Sequence, residues 1–319
     1  MKWINRLLFQ GSLFSHLVNV FLRITCKRED GYHDLTSLFH VINLGDVIKF
    51  SLSPSKSIDR LLTNVPGVPL TEDNLIIKAL NLYRKKTGTD NLFWIHLDKK
   101  MPTGEGLGGG SSDATTALWV ANQFSGCPAT EKELQEWSSE IGSNIPFFFS
   151  HGTTYCTGRG EIVQDIPSLV PLDKKIVLLK PPPPPPPNKH VQLAEKFTSQ
   201  TDPLTLLEKI SRNGIFKDVC INDLVEAHNS WDWLTRSSTI HIYDEDEYQD
   251  VFVSGKVLVV LPCRMTKLGK LISVAILTTQ FFSIAEANFI NREADHWYQH
   301  PASSSTICEP PPEFSRSIQ

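Results

Sequence analysis

Apolar and polar residues recur with regular periods through the first half of the chain. Short runs of β-branched and apolar residues predict three strands, at 18–25, 47–52 and 92–97. Apolar residues at helical spacing predict three helices, at 75–87, 111–123 and 131–141. Thr130 and Glu133 form the pattern of a capping box, which predicts the start of the last helix. The last strand and the second helix therefore flank one intervening loop.

This loop is rich in glycine. Residues 102–117 read PTGEGLGGGSSDATTA, with glycine at 104, 106, 108, 109 and 110 followed by two serines. Glycine takes positive φ readily and lets backbone N–H groups approach an anion, and a helix that starts at the loop adds partial positive charge. We therefore predict that the loop binds phosphate rather than forming a plain surface turn.

Two common phosphate-binding motifs fit the loop less well. A Walker A loop ends in Gly-Lys-Ser/Thr, and no lysine follows these glycines. Gly104, Gly106 and Gly109 do match the GxGxxG spacing of dinucleotide-binding folds, but they lie far from a first βαβ unit. The acid expected about 20 residues later would be Glu131 or Glu133, which are first-turn residues of another predicted helix.

The loop and its flanking segments resemble a known family. The pattern PxxxGLGGGSSxA is similar to the phosphate loop of the GHMP (galactokinase, homoserine, mevalonate and phosphomevalonate) kinases. Residues 27–49, KREDGYHDLTSLFHVINLGDVIK, resemble a segment of the 4-diphosphocytidyl-2-C-methyl-D-erythritol kinases, most closely in their plant members. Further matches are NLIIKA at 74–79, IGS at 141–143, IPFF at 145–148, TGRGE at 157–161 and NDL at 222–224.

This resemblance implies an α+β fold with the two-domain GHMP kinase architecture. A ribosomal-S5-like kinase domain that binds ATP would be followed by a ferredoxin-like α/β domain, which we expect to be incomplete. The implied division is a kinase domain at 1–172, a Pro-rich linker at 173–200, a degenerate C-terminal domain at 201–300 and a disordered tail at 301–319.

The activity implied by the resemblance is ATP-dependent phosphorylation of the 2-hydroxyl of 4-diphosphocytidyl-2-C-methyl-D-erythritol, in the non-mevalonate isoprenoid pathway. ATP and Mg²⁺ would be the cofactors, and no residue is assigned as a metal ligand. Asn74 lies where the family meets adenine. The other nucleotide-binding positions are Pro102, Gly104, Gly106, Leu107, Gly108, Gly109, Gly110, Ser111 and Ser112.

The resemblance also implies residues for the phosphate acceptor. Tyr32 and His33 lie where the family stacks on and hydrogen-bonds the cytosine, and Asn19 lies where it approaches the methylerythritol group. The residues by themselves leave structural roles open, with Tyr32 in a core, His33 in a turn and Asn74 as a helix cap.

Several positions depart from the family pattern. Asn144 stands at the catalytic aspartate of the G-[SA]-D-[IV]-P segment and cannot take a proton, while Leu17 stands at the lysine of the K-[IV]-N segment. His16 is adjacent to Leu17 but is expected on the opposite face of a strand. Asp113 replaces an asparagine and is expected to repel the triphosphate unless Mg²⁺ screens it. The alternative to a working kinase is therefore an inactive relative, either a nucleotide-binding pseudoenzyme or the product of a decayed or mispredicted gene.

The second half of the chain matches the family only in patches. Seven consecutive prolines at 181–187 predict a polyproline II spacer, although a ligand for SH3 or WW domains is also conceivable. The family's third, glycine- and serine-rich motif has no counterpart at 225–243, and 255–284 reads as an insertion.

Composition limits the possible partners and compartments. With 31 basic and 35 acidic residues the net charge is −4, so we expect no nucleic-acid partner. The apolar stretch at 271–285 is shorter than the about 20 residues that a membrane span needs, so we expect no membrane partner. The six cysteines lack metal-binding spacing and predict reduced thiols. The N-terminus makes a poor transit peptide, so a plastid location rests on the resemblance and the alternative is cytoplasmic. The sequence leaves the oligomeric state open.

Overall fold

The structure is a computed structural model, and it describes residues 8–11, 16–29, 33–53, 58–100, 106–169, 175–180, 201–223, 248–254, 257–262 and 283–288. These residues form an α+β arrangement of three four-stranded sheets and four α-helices.

The first sheet carries the helices of the N-terminal half on one face. Its strands are Leu8–Gly11 (β1), Val47–Leu52 (β4), Arg60–Thr63 (β5) and Phe93–Asp98 (β6), in the order β1-β4-β6-β5. The helices are Leu75–Thr87 (α1), Gly109–Phe124 (α2) and Glu131–Ser138 (α3). Apolar residues of β4 and β6 share one buried core with these helices. This burial fixes the position at which β6 ends and α2 begins, which are the two sides of the glycine loop.

The second sheet is antiparallel and lies under the glycine loop. Its strands are Leu17–Lys27 (β2), His33–Val41 (β3), Thr153–Thr157 (β7) and Ile162–Asp165 (β8), in chain order across the sheet. Leu17, Phe39, Phe147 and Phe148 form a second core, in which two of the three phenylalanines of a short 3₁₀ turn pack against the strands.

The third sheet brings residues from the end of the chain against β2. Its strands are Lys175–Lys180 (β9), Tyr248–Ser254 (β10), Val257–Pro262 (β11) and Ser283–Asn288 (β12), in the order β10-β11-β9-β12. The helix Pro203–Asn213 (α4) shares a core with β2 and β9. The Asp223 carboxylate accepts hydrogen bonds from Arg23 Nε at 3.0 Å and from the Ile24 N–H at 2.7 Å, which joins this part of the chain to β2.

The predicted elements agree well with the structure in the N-terminal half. The strand at 47–52 and the helix at 75–87 have the predicted bounds, and the capping box of Thr130 and Glu133 is present. Helix α2 starts earlier than predicted, at Gly109, and α3 ends earlier, at Ser138.

The C-terminal half holds elements that the sequence did not indicate. Strand β9 lies within the range predicted as a linker. Strand β11 lies within the predicted insertion at 255–284, yet it pairs with both β9 and β10 and is an inner strand of the sheet. That part of the insertion therefore has a place in the fold. The prolines at 181–187, the segment 225–243 and the tail at 301–319 lie outside the described residues.

Two absences hold for the described part of the chain. None of its helices is both long and apolar enough to cross a membrane. Its four cysteines, at 26, 127, 156 and 220, are all free thiols.

Candidate functional site

The glycine loop enters α2 through two residues with left-handed backbone. Gly106 has φ +77° and Gly108 has φ +71°, a region that side chains disfavour. The Ser112 N–H donates to the Gly108 carbonyl at 2.8 Å, which makes it the first N–H with an α-helical acceptor. The N–H groups of the preceding turn, from Gly109 to Ser111, have no intrahelical acceptor and can serve an anion. Pro102 and Gly104 lie outside the described residues.

The floor beneath Gly108 is apolar and closely packed. A Cβ at Gly108 would lie 2.8 Å from Phe148 Cζ and 2.9 Å from Leu17 Cδ2. The Leu17 N–H also donates to the Leu107 carbonyl at 2.9 Å, so the first residue of β2 is tied to the loop. Glycine is favoured at this position, because a Cβ would overlap both side chains and the backbone has positive φ.

A buried cluster of ionisable residues lies beneath the next residue of the loop. A Cβ at Gly109 would lie 2.9 Å from His16 Nε2, 3.2 Å from Lys99 Nζ and 3.4 Å from Asp46 Oδ2. His16, which we expected on the face of β2 opposite to Leu17, therefore also lies against the loop. Leu17 supports Gly108 and His16 supports Gly109.

The lysine of this cluster joins two carboxylates. Lys99 Nζ donates to Asp46 Oδ2 and, at 3.2 Å, to Asp113 Oδ2. Asp46 also accepts from the Lys100 N–H at 2.7 Å and lies 3.3 Å from His16 Nε2. We expected Asp113 to repel the triphosphate unless Mg²⁺ screens it. The structure instead buries it and pairs it with Lys99.

The two carboxyl groups have pKa values displaced in opposite directions. Burial raises the pKa of Asp113 to about 7, with Lys99 acting against it and Asp46 adding to it. Burial also disfavours the charged form of Asp46, but the hydrogen bond from His16 and the charge of Lys99 lower its pKa to about 2. Asp46 is therefore the fixed anion of the cluster, and Asp113 is the carboxyl that can change its charge near neutral pH.

Leu17 and Asn144, which the sequence resemblance aligns with a lysine and a catalytic aspartate of the family, have different surroundings. The Leu17 side chain is buried in the apolar core with Phe147 and Phe148. Asn144 is half-buried in the turn that precedes Phe147, and its Oδ1 would lie 3.0 Å from a Cβ at Gly160, where φ is +110°. The turn between β7 and β8, which includes the TGRGE match, therefore lies beside Asn144.

Asn74 is the N-cap of α1, the structural role that the sequence left open. Its Oδ1 accepts from the Ile76 N–H at 2.9 Å and its Nδ2 donates to the Pro69 carbonyl at 2.7 Å. An asparagine amide has two donors and two acceptor lone pairs, so these bonds leave capacity for a further partner.

The predicted acceptor residues are only partly placed. Asn19 lies in β2 at 8% exposure, its Nδ2 donates to Ser37 Oγ at 3.2 Å, and its N–H donates to Ser254 Oγ at 2.9 Å. His33 is half-buried at the start of β3. Tyr32 lies outside the described residues.

Sequence reasoning missed Lys99 and Asp46 as partners of the loop. Asp46 lies within the family-like segment at 27–49 and Lys99 directly follows β6, but nothing in either position indicates that the two meet. Among the described residues, no group of three or more His, Cys, Asp or Glu side chains is placed to hold a metal ion.

Comparison with known proteins adds a family model and several relatives. Residues 74–152 match the model described as the GHMP kinases N terminal domain. The chain is 59% identical to a protein of Solanum lycopersicum named 4-diphosphocytidyl-2-C-methyl-D-erythritol kinase, chloroplastic/chromoplastic, over 94% of this chain and 75% of that protein. It is 56% identical to the Arabidopsis thaliana protein named 4-diphosphocytidyl-2-C-methyl-D-erythritol kinase, chloroplastic, over 90% of this chain and 76% of the relative.

The fold is also shared with a solved structure. A crystal structure of 4-(cytidine 5'-diphospho)-2C-methyl-D-erythritol kinase aligns with 88% of this chain and 98% of its own, with a TM-score of 0.61 and 21% identity. At this identity the likeness concerns the fold alone, which is that of the GHMP kinases.

Proposed function

The chain belongs to the 4-diphosphocytidyl-2-C-methyl-D-erythritol kinase family of GHMP kinases, and from this premise we propose its reaction. It transfers the γ-phosphoryl group of ATP to the 2-hydroxyl of 4-diphosphocytidyl-2-C-methyl-D-erythritol. The observation that carries the proposal is the glycine loop, whose positive-φ residues open directly into α2 over a floor of buried side chains.

The nucleotide would bind along this loop. The N–H groups of Gly109, Gly110 and Ser111 lie at the N-terminus of α2, where the helix dipole favours phosphate. The helix has no acidic residue in its first turn. Asn74 would meet the adenine with the amide capacity that its cap and its bond to Pro69 leave.

Mg²⁺ would enter with its nucleotide. Mg²⁺ is commonly bound through substrate phosphates and one or two carboxylates, so the phosphates of ATP would supply most of its ligands. When bound, it would neutralise charge on the transferred phosphoryl group.

The acceptor would lie on the β2 side of the loop. Asn19 lies in β2, where Ser37 orients its side chain and its backbone N–H donates to Ser254. His33, at the start of β3, would contact the cytosine together with Tyr32.

The transfer would run with less help from acid–base groups than the family pattern provides. Asn144 can orient an acceptor hydroxyl by a hydrogen bond but cannot accept its proton, and Leu17 brings no charge to the phosphate. Phosphoryl transfer depends chiefly on positioning and electrostatic stabilisation, so the loop can support turnover at a reduced rate. A missing general base costs about 10²–10⁴ in rate.

A coupled assay of ADP release, with the product examined by ³¹P NMR, tests this proposal. We expect ATP-dependent formation of one phosphomonoester per ADP, and an increase in rate for Asn144→Asp. If neither the wild-type protein nor Asn144→Asp forms product, although both bind ATP, the kinase proposal is wrong and the chain is an inactive nucleotide-binding relative.

The location follows from the same family relationship. The tomato and Arabidopsis relatives carry chloroplastic names, and we propose a plastid location for this protein. Import of the protein, fused to a fluorescent protein, into isolated chloroplasts would test it.

A further inference from the structure

The ammonium of Lys99 connects three parts of the chain that meet under the glycine loop. Lys99 follows β6, Asp46 precedes β4, and Asp113 lies in the second turn of α2. The lysine side chain is 6% exposed, and those of the two carboxylates are 1% and 6% exposed. One cation is therefore shared by two buried anions.

This cluster is close enough to influence a bound phosphate. Lys99 Nζ and Asp46 Oδ2 lie 3.2 Å and 3.4 Å from the position of a Cβ at Gly109. Gly109 is the first residue of α2, at the end of the helix that favours anions. Charges in a buried site act over such distances with little screening by solvent.

The net charge of the cluster depends on Asp113. With Asp46 ionised, Lys99 protonated and His16 neutral, the charges of Asp46 and Lys99 cancel, so an ionised Asp113 leaves one uncompensated negative charge behind the helix N-terminus. A neutral Asp113 leaves none. The ionisable groups that face this carboxyl from the neighbouring elements are Lys99 and Asp46, with His16 beyond Asp46.

We propose that the charge of Asp113 sets the affinity of the glycine loop for ATP, by cancelling part of the positive field that Lys99 and the helix N-terminus present to the phosphates. Asp113 is a positioning residue in this proposal, because it acts through Lys99 and the helix. The inference rests on the proposed function, since it takes ATP as the ligand of the loop.

Asparagine is the matched substitution at this position. It keeps the size and the hydrogen-bonding oxygen of Asp113 but removes the negative charge, and it is the residue that the family pattern has there. Asp98→Asn is the control, because Asp98 pairs with Lys100 at the surface close to the same cluster.

Isothermal titration calorimetry with Mg²⁺-ATP at pH 6 and pH 8 tests the proposal. At pH 8 we expect Asp113→Asn to bind ATP about tenfold more tightly than the wild-type protein, the factor that corresponds to one pKa unit of coupling. At pH 6 the difference should shrink, because burial raises the pKa of Asp113 to about 7. The KM for the cytidine substrate should stay unchanged, which a general structural effect would not achieve.

Two results would overturn the proposed role of Asp113. The first is equal ATP affinity of the wild-type protein and Asp113→Asn at pH 8. The second is an equal change of ATP affinity in Asp98→Asn. Either result leaves the kinase proposal intact. If the wild-type protein binds no ATP at either pH, the proposed function fails first, and this inference fails with it. If Asp113→Asn does not fold, Asp113→Ser replaces it, because serine also removes the charge. Its ATP affinity at pH 6 and pH 8 is then compared with that of the wild-type protein.

Discussion

The Leu17 side chain lies directly against Gly108, with Cδ2 2.9 Å from the position that a Cβ on the glycine would take. Its N–H also donates to the Leu107 carbonyl. Leu17, which the sequence resemblance aligns with a lysine of the family, is thus an apolar residue that supports the glycine loop.

Gly108→Ala should disturb both the fold and nucleotide binding. The added methyl group would meet Phe148 and Leu17 at a φ of +71°, so we expect a loss of about 1–3 kcal/mol in the free energy of unfolding. ATP affinity should fall at least about tenfold, since the backbone must shift. Gly67→Ala is the control, because Gly67 has φ +83° but nothing within 4 Å of its Cβ position. Urea unfolding measures the change in stability of both variants, and calorimetry measures their ATP affinity. Unchanged ATP binding in Gly108→Ala would contradict nucleotide binding by the glycine loop.

Leu17→Ala should open a cavity beneath the loop. Leu17 is 1% exposed in the core with Phe147 and Phe148, and such truncations cost about 2–5 kcal/mol. Leu70→Ala removes the same atoms from a side chain that is 48% exposed, and should change stability by less than about 0.5 kcal/mol. Chemical denaturation measures both. Similar small losses in the two variants would contradict the supporting role of Leu17.

Asn144→Asp should raise kcat by about 10²–10⁴, because a carboxylate can accept the proton of the acceptor hydroxyl. The KM for ATP should change little, since the loop itself is untouched. Asn81→Asp introduces the same charge on the exposed side of α1 and should leave kcat unaltered. Steady-state kinetics of the three proteins give the comparison. If the kcat of Asn144→Asp stays at the wild-type value, residue 144 takes no part in proton transfer from the acceptor.

The Asp46 carboxylate should make the protein sensitive to acid. Its pKa is lowered from the ordinary 3.8 to about 2, so its stabilising effect is complete above pH 4 and is lost as the pH falls from about 4 to 2. The expected loss is about 2 kcal/mol. Unfolding free energies between pH 2 and pH 5 should show this slope in the wild-type protein and a weaker slope in Asp46→Asn. The raised pKa of Asp113 acts in the other sense, lowering stability as the pH rises from about 4 to 7.

Local features of the sequence predicted the N-terminal elements well. Apolar residues at helical spacing gave the start of α1 at Leu75, and Thr130 with Glu133 gave the start of α3. Strand β3 was missed because Ser37 and His40 are polar yet buried, which breaks the alternation of a half-buried strand.

The buried cluster under the loop could not be read from spacing. Asp46 and Lys99 are far apart in the chain, and they meet only because β4 pairs with β6 in the first sheet. Likewise, the contact between Asn19 and Ser254 depends on the third sheet packing against β2. Motifs indicated the ligand, while the tertiary arrangement determined which charges surround it.

The most direct test of the proposed kinase activity is the reaction itself. Purified protein is incubated with Mg²⁺-ATP and 4-diphosphocytidyl-2-C-methyl-D-erythritol, and the products are followed by ³¹P NMR. We predict a new phosphomonoester signal that grows with ADP in equal amounts, in the wild-type protein and faster in Asn144→Asp. If both proteins bind ATP and neither forms a phosphomonoester, the proposed kinase activity is wrong.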